Sequence, residues 1–137
     1  MKIEYAYRWR GRRALVIKEL LLTVKAKRIK RGCSPLLYDD DTRVYVDGKK
    51  IEFPLSVRNR LEGDRYQPLG APGHKKLKEI MREKDIPWGE REKRPVFISG
   101  KDIVWVLGLP VADQFKIDEK SDEIVEISVS RDRIKPC

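Results

Sequence analysis

The chain has 137 residues, of which 40% are hydrophobic and 39% are charged, a composition that predicts one soluble domain with a single core. It has no run of about 18 apolar residues and no secretory leader, which excludes a membrane span and makes a cytoplasmic location the expectation. The chain has two cysteines, Cys33 and Cys137, which are too far apart in sequence to suggest a disulfide framework. It has a single histidine, His74, which argues against a metal site.

The net charge of +9 comes from one segment. Residues 1–31 hold eleven Lys/Arg and two Glu, whereas residues 32–137 hold twenty residues of each sign. A localised excess of this kind is typical of a surface that binds a polyanion. A weaker positive region spans residues 58–94, with eleven basic and seven acidic residues. The alternative is the ion-paired surface of a thermophilic protein, which accounts for the many charges but not for their imbalance.

In chain order, residues 3–9 alternate between apolar and polar side chains, which predicts a half-buried strand. Residues 10–13 are a plausible hairpin turn. Residues 14–26 are rich in Leu and Val, and their β-branched content favours a strand over a short helix. We interpret residues 1–37 as a basic, strand-rich N-terminal segment that could be the end of a preceding domain.

A short strand is expected at residues 43–46, followed by the hairpin-turn signal Asp47-Gly48 and a returning strand at 51–57. Glycines and prolines then predict an irregular loop at 63–73. A helix should start near His74 and end before Pro87, since proline disfavours helical geometry in the residue before it. Its apolar residues Leu77, Ile80 and Met81 share one face.

Residues 87–94 predict a second short helix or a turn, and residues 95–107 predict a β-hairpin. Residues 124–129 alternate again and predict a last strand, with a frayed tail at 131–137. The fold class expected is therefore α+β, a mixed or antiparallel sheet of six to eight short strands with one or two helices packed on it.

We find no constellation for catalysis. A nucleophile needs a positioned base, and His74 is the only histidine. The run Gly70–Lys76 resembles a phosphate-binding loop, but Leu77 stands where that motif needs Ser or Thr. A plain Gly/Pro loop is favoured over small-nucleotide binding, although a phosphate at the helix start remains reasonable. No catalytic residue, metal site or cofactor is predicted in this chain.

RNA contact is the chemistry best supported by the residue types. Arginine and lysine match phosphate oxygens, and they flank the irregular loop and the helix that follows it, at Arg58, Arg60, Arg65, Lys75, Lys76, Lys78 and Arg82. For the lysines, a solvated helix face is an equally good interpretation. Four aromatic residues could stack on bases, namely Tyr5, Tyr7, Trp9 and Tyr66. For the first three, a buried strand face is favoured, and Trp105 is expected in the core.

An ordered set of short motifs resembles the C-terminal domain of tRNA(Ile)-lysidine synthetases. The family pattern R-x-R-x-x-G-D-R is matched at residues 58–65, and G-x-K-K-L-K is matched at residues 73–78. The remaining motifs follow in the family's order, at Asp85-Ile86-Pro87, Arg91, Pro95 and residues 103–109. The resemblance covers roughly residues 38–117, and we expect a domain of this kind at residues 38–130.

The resemblance implies a non-catalytic part of an RNA-modifying ligase. The family joins lysine to the wobble cytidine of a minor isoleucine tRNA, with ATP and Mg²⁺ bound in an N-terminal PP-loop domain whose S-G-G-x-D-S motif does not occur here. A fragment or a stand-alone relative is therefore expected, with tRNA, that catalytic domain and a second copy of the chain as candidate partners. A non-catalytic protein-interaction or structural domain of a thermophile is the alternative; it predicts little loss of binding when Lys75, Lys76 and Lys78 become Glu.

The resemblance also implies roles for individual residues. It implies tRNA contact for the residues that match the family's basic positions, which are Arg58, Arg60, Arg65, Lys75, Lys76, Lys78 and Arg91, and the helical Arg82 joins them by its position. Asp64 should hold the loop by hydrogen bonds or pair with an arginine. Gly63, Gly70 and Gly73 should permit backbone turns. The role of His74 stays open, because the family often has a small polar residue there.

Overall fold

The structure, a computed structural model, describes residues 3–30, 32 and 39–131. Two α-helices and ten short strands are seen there, so the α+β class is confirmed, with more strands than expected. The elements are β1 (Ala6–Trp9), β2 (Leu15–Ile17), β3 (Leu22–Lys30), β4 (Arg43–Asp47), β5 (Leu55–Arg58), β6 (Arg65–Tyr66), β7 (Lys75–Lys76), α1 (Leu77–Glu83), α2 (Trp88–Arg91), β8 (Val96–Ser99), β9 (Asp102–Val106), a 3₁₀ turn (Asp113–Phe115) and β10 (Glu123–Arg131).

The strands form two four-stranded antiparallel sheets and a short ribbon. The first sheet has the order β1-β5-β8-β9, the second has the order β2-β3-β10-β4, and β6 pairs with β7 in the ribbon. The longest pairing joins β3 to β10 over nine residues, from Leu22 opposite Arg131 to Lys30 opposite Glu123. Two of the first three strands are thus paired with distant parts of the chain, β1 with β5 and β3 with β10, whereas β2 pairs only with its neighbour β3.

One hydrophobic cluster draws on both sheets and on α1. The predicted alternation is confirmed where a strand has one buried face, because successive side chains point to opposite faces of a sheet. In β10, Val125, Ile127 and Val129 are buried, and the residues between them are more exposed. The predicted apolar face of the helix is also confirmed, since Leu77, Ile80 and Met81 are all buried.

Two predicted hairpins are wrong, although the chain does bend where they were expected. Residues 10–13 carry the chain from β1 in the first sheet to β2 in the second. At Asp47, a turn closes with the Lys50 N–H donating to the Asp47 carbonyl (3.1 Å). However, β4 pairs with β10, and β5 pairs with β1 and β8. Turn residues set a local bend, whereas burial of the apolar faces decides which strands pair.

The helix starts later than predicted. Residues 75–76 form β7, which pairs with β6, and α1 begins only at Leu77. The predicted hairpin at 95–107 and the last strand are confirmed. The proposed boundary at residue 37 lies outside the described residues. So does the predicted tail at 131–137, except for Arg131, which ends β10. Within the described residues, no helix is long and apolar enough to cross a membrane.

The two-sheet core makes a simple prediction about stability. The side chain of Ile127 is fully buried, whereas that of Val16 is 42% exposed. Ile127→Ala should lower the free energy of unfolding by about 2–5 kcal/mol because it leaves a cavity. Val16→Ala should cost less than about 1 kcal/mol. Urea unfolding of both variants measures this, and similar losses would mean that Ile127 is not packed in the core.

Candidate nucleic-acid interface

The exit of β5 is fixed by a buried amide. The side-chain oxygen of Asn59 accepts the Tyr5 N–H (2.9 Å), and its amide nitrogen donates to the Arg60 carbonyl (3.1 Å). The Asn59 N–H also donates to the Tyr5 carbonyl (3.3 Å). Buried backbone groups need such partners. The backbone around Asn59, which carries Arg58 and Arg60, is therefore held in one conformation where the chain leaves the first sheet.

A bidentate ion pair closes the next turn. The two terminal nitrogens of Arg58 donate to the two carboxylate oxygens of Asp64, at 2.9 and 3.0 Å. Asp64 also accepts the Leu61 N–H (2.9 Å). Gly63 has a φ of +90°, a conformation that an L side chain rarely adopts. The guanidinium group of Arg58 is thus paired within the loop, and the Asp64 carboxylate stabilises the conformation of the loop.

Arg60 is also held inside the molecule. Its side chain is only 12% exposed and lies 3.6 Å from the Glu92 carboxylate and 3.9 Å from that of Glu62. Its Nε atom is buried and has no hydrogen-bond partner within the part of the chain that the structure describes. Glu92 follows directly after α2, so Arg60 connects the loop to the second helix.

Four of the predicted RNA-contacting cations are exposed and have no ion pair or hydrogen bond from their side chains to any described residue. Arg65 and Lys76 stand directly opposite each other in the β6–β7 ribbon. Lys78 and Arg82 are four residues apart on α1, so they share one helix face. Lys76 ends β7 and directly precedes the first residue of α1, so the four cations lie on the surface formed by the ribbon and the adjoining helix. We call this surface the cationic strip, Arg65, Lys76, Lys78 and Arg82.

Lys75 differs from the cationic strip. Its ammonium group contacts both carboxylate oxygens of Glu83, at 2.7 and 2.9 Å, and so ties β7 to the last turn of α1. The hydrogen bond from Lys75 lowers the pKa of Glu83, so this carboxylate stays ionised at neutral pH. Lys75 is therefore less available to an external phosphate than Lys76 or Lys78.

The irregular loop is anchored at several points. The Leu69 N–H donates to the Val111 carbonyl (2.9 Å), and the Gly70 N–H donates to the Asp113 carboxylate (3.1 Å). Gly70 also has a positive φ, whereas Gly73 does not. The loop is thus a fixed connection between β6 and β7. His74 lies at its end with an exposed side chain.

Trp88 was not among the site residues predicted from the sequence. This tryptophan is 81% exposed. The guanidinium carbon of Arg91 lies 4.2 Å from the ring centroid, and the Arg91 Nε donates to the Ile86 carbonyl (2.7 Å). Arg91 therefore lies over one face of the ring and is itself held in place. The signal was present in the sequence, because a tryptophan in a polar stretch directly after Pro87 has few apolar neighbours to pack against.

The other aromatic candidates for base stacking are mostly in the core. Tyr5, Trp9 and Tyr66 are buried, and the Tyr66 hydroxyl donates to the Pro110 carbonyl (2.8 Å). Burial raises the pKa of Tyr66. Stacking of Tyr66 on a base, as considered from the sequence, is therefore wrong, and the buried-face interpretation holds for Tyr5 and Trp9. Trp105 is in the core, as expected.

Comparison with known proteins gives the family. A family described as the TilS substrate C-terminal domain matches residues 55–128. A tRNA(Ile)-lysidine synthase from Symbiobacterium thermophilum is 32% identical over 115 residues, which are 84% of this chain and 24% of the relative. The chain belongs to the TilS C-terminal domain family. Arg58, Asp64, the cationic strip and Trp88 all lie within the matched residues.

Further comparisons agree with this family. The tRNA(Ile)-lysidine synthase of Caldanaerobacter subterraneus subsp. tengcongensis is 38% identical over 88 residues, 64% of this chain and 19% of the relative. This TilS C-terminal domain thus spans about a fifth to a quarter of these curated relatives. A crystal structure of a TilS C-terminal domain superimposes with a TM-score of 0.76 at 25% identity, covering 93% of this chain and 98% of that one.

A second solved structure shares the fold alone. An N-terminal fragment of the phenylalanyl-tRNA synthetase β-subunit from Pyrococcus horikoshii superimposes with a TM-score of 0.54 at 19% identity. It covers 67% of this chain and 28% of that one. Within the described residues, no group of three or more His, Cys, Asp or Glu is placed to hold a metal ion.

The geometry of the loop predicts that Asp64 stabilises it. Asp64→Ala should lower the free energy of unfolding by about 2–4 kcal/mol, because it leaves the largely buried Arg58 guanidinium without its partner. Glu62 is the matched control, since its carboxylate is 82% exposed and 3.9 Å from Arg60. Glu62→Ala should change stability by less than about 0.5 kcal/mol. Denaturant unfolding of both variants tests this, and equal losses would contradict a stabilising role for the Arg58–Asp64 pair.

Proposed function

We propose that this TilS C-terminal domain binds tRNA and positions it for a lysidine-forming catalytic domain. The observation that carries the proposal is the cationic strip, four exposed cations on one ribbon and helix that have no side-chain partner among the described residues. The strip is close in the chain to the exposed ring of Trp88. Lysine and arginine bind backbone phosphates, and an open aromatic ring can stack on an unpaired base.

The proposal includes the reaction of the whole enzyme, which is inferred from the family. A tRNA(Ile)-lysidine synthetase would join lysine to the wobble cytidine with ATP and Mg²⁺, both bound by the catalytic domain in the cytoplasm. The contribution of this domain would be positional. Phosphate contacts on the tRNA body fix its orientation, so that a distant anticodon base reaches the reacting groups.

The loop arginines have a different role in this proposal. Arg58 and Arg60 are bound to Asp64 and to Glu62 and Glu92, so they hold the loop on which Arg65 is carried. Arg91 acts through Trp88, since its guanidinium group lies over one face of the indole ring. Direct phosphate contact is assigned to the cationic strip, with Lys75 contributing little because it is held by Glu83.

Reversal of two charges on α1 tests the phosphate contacts. Lys78→Glu together with Arg82→Glu should weaken tRNA binding at least about tenfold at low salt. It should also reduce the salt dependence of log K by about 0.7–0.9 for each lost contact, since fewer counterions are released. Filter binding to tRNA across a salt series measures both.

The matched control changes two other exposed lysines. Lys101 lies in the turn between β8 and β9, and Lys120 lies in the loop before β10. Lys101→Glu with Lys120→Glu alters the net charge equally and should leave the salt dependence near that of the original chain. If both double variants bind tRNA equally well, α1 does not contact phosphates.

Trp88 allows an optical test of base stacking. The chain has three tryptophans, of which Trp9 and Trp105 are buried. Addition of tRNA should therefore quench the emission of Trp88 selectively. Trp88→Ala should weaken binding by about 1–3 kcal/mol, the usual contribution of one stacked base.

A conservative variant separates stacking from a loss of fold. Trp88→Phe keeps an aromatic ring and should retain most of the affinity that Trp88→Ala loses. Both variants should keep the unfolding midpoint, since the side chain is 81% exposed. Unchanged affinity in Trp88→Ala would exclude Trp88 from the tRNA interface.

A further inference from the structure

A second basic feature lies far along the chain from the cationic strip. Three arginines line an open cleft of about 390 Å³, Arg10 and Arg12 from the connection between the sheets and Arg28 from β3. Ala26, Val125 and Phe53 form its apolar side. We call it the arginine cleft.

The three arginines have no side-chain partner among the described residues. Each is exposed, and none forms a hydrogen bond or ion pair from its side chain with another residue in the ranges 3–30, 32 and 39–131. Among the described residues, no carboxylate lines the cleft. Like charges gathered around one cavity repel each other, and an anion in the cavity removes that repulsion. Arg58 and Arg60, in contrast, are each paired with carboxylates.

The backbone that carries Arg10 and Arg12 is held in place by the core. The indole nitrogen of Trp9 donates to the Arg13 carbonyl (2.7 Å), which closes the bend at residues 10–13. Gly11 lies against Phe53, because a Cβ there would be 2.5 Å from the nearest ring carbon. Phe53 in turn packs edge-on against Trp9, with centroids 5.8 Å apart. The two arginines therefore project from a fixed bend, and Arg28 projects from a paired strand.

We propose that the arginine cleft is a binding site for a phosphate group. Guanidinium groups are planar forks that bind phosphate oxygens in pairs, and the apolar side of the cleft keeps water from part of the contact. The phosphate can belong to a polynucleotide backbone or be free in solution. The site goes beyond the proposed tRNA contact at α1, because it lies at the opposite end of β5, where Phe53 and Pro54 lead into that strand.

Side-chain NMR provides the direct test. The Nε–Hε signals of Arg10, Arg12 and Arg28 are followed in the unmodified chain during titration with inorganic phosphate and, separately, with tRNA. The expected result is a saturable shift of these signals with at least one of the two probes. A shift with tRNA identifies a polynucleotide as a source of the phosphate, and a shift with inorganic phosphate alone identifies free phosphate.

A variant links the signals to the site. Arg12→Gln with Arg28→Gln should abolish the saturable shift of Arg10. If the source is polynucleotide, it should also reduce the salt dependence of log K for tRNA by about 0.7–0.9. Lys101→Gln with Lys120→Gln removes the same charge from elsewhere on the surface and should change neither result.

The proposal is overturned if neither inorganic phosphate nor tRNA shifts the arginine signals of the unmodified chain. This outcome does not depend on the folding of any variant. It is also distinct from a failure of the proposed function. If the changes at Lys78 and Arg82 leave tRNA binding intact while the arginine signals still respond to phosphate, the α1 interface is excluded and the arginine cleft stands.

Discussion

The bond between Arg58 and Asp64 organises the surface that we propose to bind tRNA. Its two parallel hydrogen bonds close the loop that leaves β5. The Asp64 carbonyl then accepts the Leu77 N–H (2.8 Å), the first backbone donor of α1. One residue thus fixes the loop through its side chain and the start of the helix through its backbone. Gly63 permits the turn between Arg58 and Asp64. The short segment that contains this turn therefore helps to position both Arg65, which follows Asp64, and Lys78, at the start of the helix.

The cations of this domain fall into two groups that differ in what they contact. One group is held by carboxylates of the same chain, as Arg58, Arg60 and Lys75 are. The other group has no such partner among the described residues and faces solvent, in the cationic strip and in the arginine cleft. An exposed cation without a partner contributes little to the stability of the fold, but it can attract an anion. The second group therefore marks the surface where a polyanion is best bound.

Much of the fold could be predicted from local patterns. Alternation identified the strands at residues 3–9 and 124–129, and a helical repeat identified the buried face of α1, because each pattern reflects burial on one side of an element. Pairing could not be predicted in the same way. The bends at residues 10–13 and at Asp47 are real, but a bend does not determine whether the next strand joins the same sheet.

The residue types of the candidate site could be predicted from the sequence, but their internal pairing and exposure could not. The order of motifs identified the family, and residue types identified the basic loop. Which arginines pair internally depends on carboxylates such as Glu92, 32 positions after Arg60 in the sequence, and such contacts are set by tertiary packing. Trp88 was missed for a related reason. Sequence alone gives no measure of exposure, and a tryptophan is more often buried than exposed.

The position of β10 has a consequence for the order of folding. This last strand lies between β3 and β4 and pairs with both. During synthesis, β3 and β4 therefore leave the ribosome well before the strand that joins them, and their inner edges have no partner until about residue 131 has emerged. Contacts between such distant parts of a chain slow folding, and unpaired strand edges favour association between chains. Assembly of the second sheet should accordingly be a late event, completed only after the loop and helix that carry the cationic strip have been made.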